Sequence, residues 1–214
     1  MDDTCIVVFT RAPDTASAKT RLAPLLGQAE ASRLHAALVR RAIRTALATE
    51  PGRVIVSVAV DAPSSRPLSE SFPDFPGSSI DYAAQEGPDL GRRMHHALES
   101  ALGRHPKVLL MGTDCPAITT AHLRAAENAL SGNADAVFIP VEDGGYVLVG
   151  LRRCDPALFT GISWSTDRVM MQTRERMSAL GWRWHELAPL WDVDLPEDYE
   201  RLQRSGMLPD ILAN

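Results

Sequence analysis

Hydrophobic and polar positions along the chain alternate between short apolar runs and longer segments with helical periodicity. Apolar runs of about four to eight residues predict buried strands, whereas apolar positions that recur every three or four residues predict amphipathic helices. The predicted strands are Cys5–Phe9, Arg53–Val60, Ile80–Ala84, Val108–Met111, Ala136–Val141, Tyr146–Leu151 and an edge strand at Trp182–Leu187. The predicted helices are Gln28–Thr49, Leu90–Ala101, a segment from Thr119 or Thr120 to Leu130, Thr166–Leu180 capped by Ser165, and a short helix after Pro196.

Strands that alternate with helices indicate βαβ units and a parallel sheet covered by helices on both faces. The strands at 136–141 and 146–151 are the exception, because only a tight turn joins them and they must pair antiparallel. We therefore expect a three-layer α/β/α fold with a mostly parallel twisted sheet and one antiparallel insertion. The 214 residues suffice for one domain with a full core, so we expect a single domain over 1–214. Ser and Pro residues over Ser64–Ser79 predict an irregular excursion.

The central predicted strand leads directly into Gly112-Thr113-Asp114-Cys115-Pro116. Open α/β sheets bind their ligands at the carboxyl ends of such strands. Because Pro116 cannot extend the strand, Asp114 is expected over the edge of the sheet. Two interpretations stay open from these residues alone: Asp114 is a metal-binding carboxylate for a nucleotide diphosphate, or it is a turn or helix-entry residue.

The long segment after the first predicted strand carries three cations, Arg11, Lys19 and Arg21. It follows the carboxyl end of that strand, which is where open α/β folds bind phosphates. The residues predict a phosphate-binding loop, and the alternative is a solvated basic loop.

The turn Glu142-Asp143-Gly144-Gly145 joins the two antiparallel strands. Gly144 and Gly145 allow an acceptor to approach the backbone closely, and Asp143 beside them could act as a general base or orient an acceptor hydroxyl. The alternative is that Asp143 only begins the turn.

Composition and charge narrow the range of functions. The net charge is −5 and the basic residues are scattered, which argues against nucleic acid as the main partner. Three widely spaced cysteines suggest neither a disulfide framework nor a zinc site, and no two histidines have metal-binding spacing, so we expect all six to be structural or surface residues. No apolar stretch is long enough to span a bilayer and the first residues are acidic, so we expect a cytoplasmic protein.

Four short motifs, in this order along the chain, carry a family resemblance: Lys19-Thr20-Arg21-Leu22, Gly112-Thr113-Asp114-Cys115-Pro116, Asp143-Gly144-Gly145 and Trp191-Asp192-Val193-Asp194 with Pro196-Glu197-Asp198. Together they resemble the glycosyltransferase-A-like family, within the nucleotide-diphospho-sugar transferase superfamily, that is related to the 2-phospho-lactate guanylyltransferases. The resemblance covers nearly the whole chain.

The resemblance implies a role for each motif. Lys19 and Arg21 would contact the nucleotide phosphates, Gln85 and Gly87 would lie near the base or ribose, and Asp114 would ligate a divalent metal together with Asp194 or Asp192. The donor would be a nucleotide sugar or a nucleoside triphosphate, and the second substrate a small-molecule acceptor. Mg²⁺ or Mn²⁺ suits this set, since both prefer one or two carboxylates plus substrate phosphates.

The sequence departs from the families that it resembles in three places that bear on the reaction. One is Pro116, two residues after Asp114, so no DxD pair is present there. The glycine-rich loop of the sugar-nucleotide pyrophosphorylases is absent after Phe9, and the guanylyltransferases continue the Gly-Gly turn with Thr-Asn where this chain has Tyr146-Val147. We therefore expect glycosyl transfer from a nucleotide sugar to a different small acceptor. Nucleotidyl transfer to a small phosphorylated acid and a non-catalytic nucleotide-binding module are the alternatives.

Overall fold

Seven strands form one sheet, and each lies where the apolar pattern predicts a strand. The computed structural model describes residues 1, 3–13, 18–60, 67–75 and 80–213, so both ends of the predicted excursion at Ser64–Ser79, residues 64–66 and 76–79, lie outside the described residues. The strands are β1 (Thr4–Arg11), β2 (Arg53–Ala59), β3 (Ile80–Ala84), β4 (Lys107–Met111), β5 (Ala136–Pro140), β6 (Tyr146–Leu151) and β7 (Trp184–Glu186). Their order across the sheet is β3-β2-β1-β4-β6-β5-β7.

Six of the seven strands run in one direction. β1 pairs parallel with β2 and β4, β2 with β3, and β5 with β7. β6 pairs antiparallel with both β4 and β5. The predicted parallel sheet with one antiparallel insertion is therefore confirmed, and the antiparallel strand β6 lies between β4 and β5.

Helices cover both faces of the sheet. The described helices are α1 (Ala23–Leu26), α2 (Gln28–Leu47), α3 (Leu90–Leu102), α4 (Thr120–Ser131), α5 (Val169–Ala179), α6 (Pro196–Arg204) and α7 (Leu208–Ala213), with short 3-10 helices at Leu68–Ser71 and Pro156–Phe159. α2 and α4 pack on one face of the sheet, and α3 and α5 pack on the other. No helix in the described part of the chain combines the length and apolar character needed to cross a membrane.

A third hydrophobic cluster lies beyond the two faces of the sheet. Its fully buried members are Leu22, Leu34, Ala37, Leu38, Val193, Leu202 and Ile211. These residues come from the segment after β1, from α2, from the segment before α6, and from α6 and α7. The cluster therefore joins the beginning and the end of the chain beside the carboxyl end of β1.

The sheet order creates a crevice where the candidate site lies. After β1 the chain adds β2 and β3 on one side, and it returns to the other side of β1 with β4. This change of direction is a topological switch point, and ligands of open α/β sheets bind outside the carboxyl ends of the strands that flank it. The segments that follow β1 and β4, with Lys19 and Asp114, leave the sheet on either side of that crevice.

Candidate functional site

A cavity of about 510 Å³ opens at the carboxyl ends of β1 and β4. It is lined by Phe9, Thr10, Arg11, Ala18, Lys19, Thr20, Arg21, His35, Ala59, Gln85, Leu90, Arg93, Gly112, Thr113, Asp114, Ser165 and Asp194. Six of the sequence-predicted site residues are among them: Arg11, Lys19, Arg21, Gln85, Asp114 and Asp194. The remaining predicted residues, Gly87, Asp143, Gly144, Gly145 and Asp192, are not among the lining residues.

Asp114 and Lys19 form an ion pair at the centre of the crevice. Asp114 Oδ1 is 2.6 Å from Lys19 Nζ, and the side chains are 47% and 3% exposed respectively. Burial alone would raise the pKa of Asp114, but the charge and hydrogen bond of Lys19, with His35 and Arg11, lower its pKa below the ordinary value. Asp114 is therefore ionised at neutral pH and presents its exposed part to the cavity.

Lys19 also connects this pair to the C-terminal part of the chain. Its ammonium donates a hydrogen bond to the carbonyl oxygen of Val193, and the Val193 N–H donates to the carbonyl oxygen of Asp114 at 2.9 Å. Residue 19 has a left-handed backbone, with φ of 53°, which an ordinary side chain rarely adopts. These contacts bring the predicted 192–194 segment to the end of β4.

The two carboxylates of that segment have different surroundings. Asp194 Oδ2 is 2.8 Å from Arg21 Nη1 in an exposed ion pair at the rim of the cavity. Asp192 is partly buried, and burial together with the charges of Asp143 and Asp114 raises its pKa to about 7. Asp192 therefore belongs to a group of carboxylates with too little compensating positive charge, whereas Asp194 already has a cationic partner.

Asp143 and the two glycines after it lie near this acidic group. Asp143 Oδ1 accepts a hydrogen bond from the Gly145 N–H at 3.0 Å, which is the turn geometry of the alternative interpretation. Gly144 has a φ of 91°, and a Cβ there would lie 2.2 Å from the Asp167 carbonyl oxygen. The close approach that Gly144 allows is thus occupied by the chain itself, and the structure does not show space for an acceptor at that point.

Gln85 and Gly87 make backbone contacts that the resemblance did not indicate. The Gln85 Nε2 donates to the carbonyl oxygens of Thr10 and Ser57, both at 3.0 Å, so only its Oε1 is left to meet a ligand. Gly87 is absent from the cavity lining, and a Cβ there would lie 2.9 Å from Arg92 Cβ. Gly87 therefore lets the chain pass close to the first turn of α3.

His35, Ser165 and Arg93 are three of the cavity residues that the sequence analysis did not identify as site residues. His35 is 4% exposed, its Nε2 has no hydrogen-bond partner among the described residues, and burial is the main cause that lowers its pKa. Ser165 is not the N-cap of α5, because the helix begins at Val169 after Arg168, and its left-handed backbone has a φ of 63°. Arg93 lies on the first turn of α3.

The missed residues differ in the signal that they offered. Nothing in the sequence around Ser165 distinguishes a cavity residue from a helix cap, because both use a short polar side chain. Arg93, in contrast, follows β3 by one short loop, and the carboxyl end of β3 lies at the same sheet edge as Lys19 and Asp114. The sequence could therefore have indicated Arg93, because it is a basic residue on the first helical turn after a parallel strand.

Comparison with known proteins agrees with this fold. A family profile described as "Uncharacterized protein conserved in bacteria (DUF2064)" matches residues 43–166, which is more than half of the chain. A search of curated proteins found no match. A crystal structure from Desulfovibrio desulfuricans G20, whose provisional name is nucleotide-diphospho-sugar transferase, is 32% identical with a TM-score of 0.86 over 96% of this chain and 88% of its own.

Two more distant structures share the fold alone. A 4-diphosphocytidyl-2C-methyl-D-erythritol synthase from Anaerococcus prevotii is 11% identical, with a TM-score of 0.61 over 97% of this chain and all of its own. Rv0371c from Mycobacterium tuberculosis, solved as a complex with manganese, is 17% identical, with a TM-score of 0.54 over 95% and 99%. These likenesses confirm the resemblance to the nucleotide-diphospho-sugar transferase superfamily, and the profile match shows that the chain belongs to the DUF2064 family.

Proposed function

We propose that the protein is a metal-dependent transferase that takes a glycosyl group from a nucleotide sugar and passes it to a small acceptor. The observation that supports this most is the convergence of three separate segments on one cavity: the loop after β1, the Asp114 end of β4 and the 192–194 segment. The cavity lies at the switch point of the sheet, where ligands of such folds bind. The 32% identical relative is named for the same class of reaction.

The charges around the cavity fit a nucleotide with two or more phosphates. Arg11, Lys19, Arg21 and Arg93 all line it, and the carboxylates lie on the side of β4 and the 192–194 segment. A diphosphate leaving group gains negative charge as its bond to the sugar breaks. Positive groups held in a partly enclosed site stabilise that charge more strongly than water does.

The carboxylates fit a divalent cation that receives most of its ligands from the substrate. Asp114 is ionised and half-exposed, and the raised pKa of Asp192 indicates uncompensated negative charge beside it. Among the described residues no three His, Cys, Asp or Glu side chains are grouped for metal binding, so phosphate oxygens and water would complete the coordination. A bound Mg²⁺ or Mn²⁺ would polarise the phosphates. We assign Asp114 and Asp192 as its protein ligands, since the Asp114 side chain stays 47% exposed beside Lys19, whereas Asp194 is held by Arg21 at the rim.

The acceptor side of the site would use Asp143. Its carboxylate is exposed and its charge acts on Asp192, so it lies close to the metal-binding group. One oxygen is engaged by the Gly145 N–H, and the other could accept the proton of an acceptor hydroxyl as the new bond forms. We keep Gly145 as an acceptor contact, whereas Gly144 serves the packing of Asp167.

Nucleotidyl transfer from a nucleoside triphosphate is the second candidate. The fold shared with the Anaerococcus prevotii synthase favours it, although a fold alone does not determine the reaction. The two reactions differ in their products, since glycosyl transfer releases a nucleoside diphosphate and nucleotidyl transfer releases pyrophosphate.

The test begins with a thermal-shift screen of nucleoside diphosphates, triphosphates and nucleotide sugars, each with Mg²⁺ or Mn²⁺. A specific ligand should raise the melting temperature in a concentration-dependent way. Incubation of the best donor with small hydroxylated and phosphorylated acceptors, followed by chromatography, then shows which product is released. A screen in which no nucleotide shifts the melting temperature would contradict the proposal, and binding without turnover would favour a binding module.

Asp114→Asn should separate metal binding from folding. The variant should keep the parent's circular dichroism spectrum but lose metal-dependent nucleotide affinity, with activity lower on the order of 10²-fold. Asp81→Asn is the control, because Asp81 of β3 pairs with Arg53 of β2 and neither residue lines the cavity. If Asp114→Asn binds Mn²⁺ and nucleotide as the parent does, Asp114 is not a metal ligand.

A further inference from the structure

The cationic side chains that line the cavity differ in whether they already pair with carboxylates of the protein. The Lys19 side chain is 3% exposed, and its ammonium contacts both Asp114 and the Val193 carbonyl. Arg21 is tied to Asp194 at the rim. A phosphate that recruited either one would have to displace a carboxylate from it.

Among the residues that the structure describes, no carboxylate pairs with Arg93. Its Nε donates to the Gly87 carbonyl oxygen at 2.9 Å, which uses one of five guanidinium donors and fixes the direction of the side chain. Of the ion pairs formed by described residues, those on α3 involve His95 with Glu99 and His96 with Glu86, and none includes Arg93. The side chain lies in the cavity wall beside Leu90, one turn earlier on the helix.

We propose that Arg93 is a phosphate-binding residue of the nucleotide site, and that Lys19 is an internal counter-ion that holds the 192–194 segment against Asp114. This inference rests on the proposed nucleotide function, and it assigns phosphate binding to Arg93 and a structural role to Lys19. A planar guanidinium can donate two parallel hydrogen bonds to one phosphate, whereas an ammonium acts as a point charge. The bond from Arg93 Nε to Gly87 orients that fork before the ligand arrives, which lowers the entropy cost of binding.

The neighbouring Arg92 provides a matched control. It has the same charge and is exposed, but it is absent from the cavity lining, because adjacent helical residues point about 100° apart. Both arginines lie on the first turn of a helix that Asp89 caps through the Arg92 N–H. Removing either side chain changes the net charge equally, but only removal of the Arg93 side chain alters the cavity and breaks the bond to the Gly87 carbonyl oxygen.

The experiment measures binding of inorganic pyrophosphate, and of the nucleoside diphosphate and nucleoside chosen by the screen, by titration calorimetry. Arg93→Ala should weaken pyrophosphate and diphosphate about tenfold or more, leave the nucleoside unchanged and keep the parent's melting temperature. Arg93→Lys should recover only part of the loss, since it restores charge without the fork. Arg92→Ala should bind all three ligands as the parent does.

Lys19→Met tests the other half of the inference with nearly constant side-chain volume. It should lower the melting temperature of the unliganded protein by several degrees, because a buried oxygen of Asp114 loses its counter-ion. An unchanged melting temperature would overturn the counter-ion role. Equal binding by Arg93→Ala and the parent would overturn the role of Arg93 and leave the proposed function standing, whereas a parent that binds neither pyrophosphate nor nucleotide would overturn both.

Discussion

At the scale of single residues, the site depends on how the surroundings of similar side chains separate their roles. Asp114, Asp192 and Asp194 are chemically identical, yet one is paired with a buried lysine, one lies among other carboxylates and one is paired with an exposed arginine. The residue types and their order could be read from the sequence. Their partners could not, because Lys19 and Val193 meet only through folding of the whole chain.

The raised pKa of Asp192 predicts an unusual dependence of stability on pH. Burial and the charges of Asp143 and Asp114 move this pKa from 3.8 to about 7, so between these values the folded state holds a proton that the unfolded state has released. The contribution of Asp192 to the free energy of unfolding therefore falls as the pH rises from about 4 to 7. Asp192→Asn should gain stability relative to the parent at pH 8 and differ less at pH 5, as measured by urea unfolding.

Asp81→Asn is the matched comparison for that measurement. Hydrogen bonding with Arg53 lowers the pKa of Asp81 below 3.8, so its stabilisation is lost only as pH falls below that value. The variant should be destabilised to the same extent at pH 5 and pH 8. If Asp192→Asn shows the same difference from the parent at both pH values, the raised pKa is wrong.

At the scale of elements, local pattern was enough to place every strand, because the period of apolar residues is a property of the strand itself. The predicted start of α5 at Thr166 was wrong, since the helix begins at Val169. Ser163, Trp164 and Thr166 form a separate turn, in which Thr166 Oγ1 donates to the Ser163 carbonyl and Trp164 packs on Gly91 of α3. That packing depends on residues far away in sequence, and a local pattern cannot report it.

Gly144, in the connection between β5 and β6, packs against Asp167 next to this turn. We expect that adding one methyl group at Gly144 will lower stability strongly. Gly144→Ala should lower the free energy of unfolding on the order of 3 kcal/mol, because φ is positive and a Cβ would lie 2.2 Å from the Asp167 carbonyl oxygen. Chemical denaturation measures the loss. Gly181→Ala, which has a φ of 64° but nothing within 4 Å, should lose only about 1 kcal/mol, the cost of the backbone conformation alone. Equal losses in the two variants would show that the contact with Asp167 does not matter.

At the scale of the whole molecule, the third hydrophobic cluster supports one side of the site. It packs Leu22, after Lys19 and Arg21, against Val193 and Leu202. The order of strands across the sheet likewise depends on contacts between distant parts of the chain. β6 lies between β4 and β5 because it pairs with both, and no local sequence pattern indicates that position. The sequence analysis predicted the antiparallel insertion but not its place in the strand order.

The cluster predicts that a core substitution far from the cavity will weaken ligand binding. Leu202→Ala removes a fully buried side chain of α6 and should cost about 2–5 kcal/mol of stability. It should also weaken nucleotide binding under conditions where the variant is still folded, because the 192–194 segment is held less firmly. Leu130→Ala, at the end of α4 in another cluster, should cost a similar amount without affecting affinity. Calorimetry below the melting temperature of both variants checks this, and equal affinities would contradict it.

The bond between Lys19 and the Val193 carbonyl spans 174 residues of sequence. A ribosome that adds about 5–20 residues per second needs roughly 9 to 35 seconds to make that length of chain. During this interval the strands and the Lys19–Asp114 pair can form, but the wall that contains Asp192 and Asp194 does not yet exist. A ligand that needs the complete site therefore cannot bind before the 192–194 segment has been made.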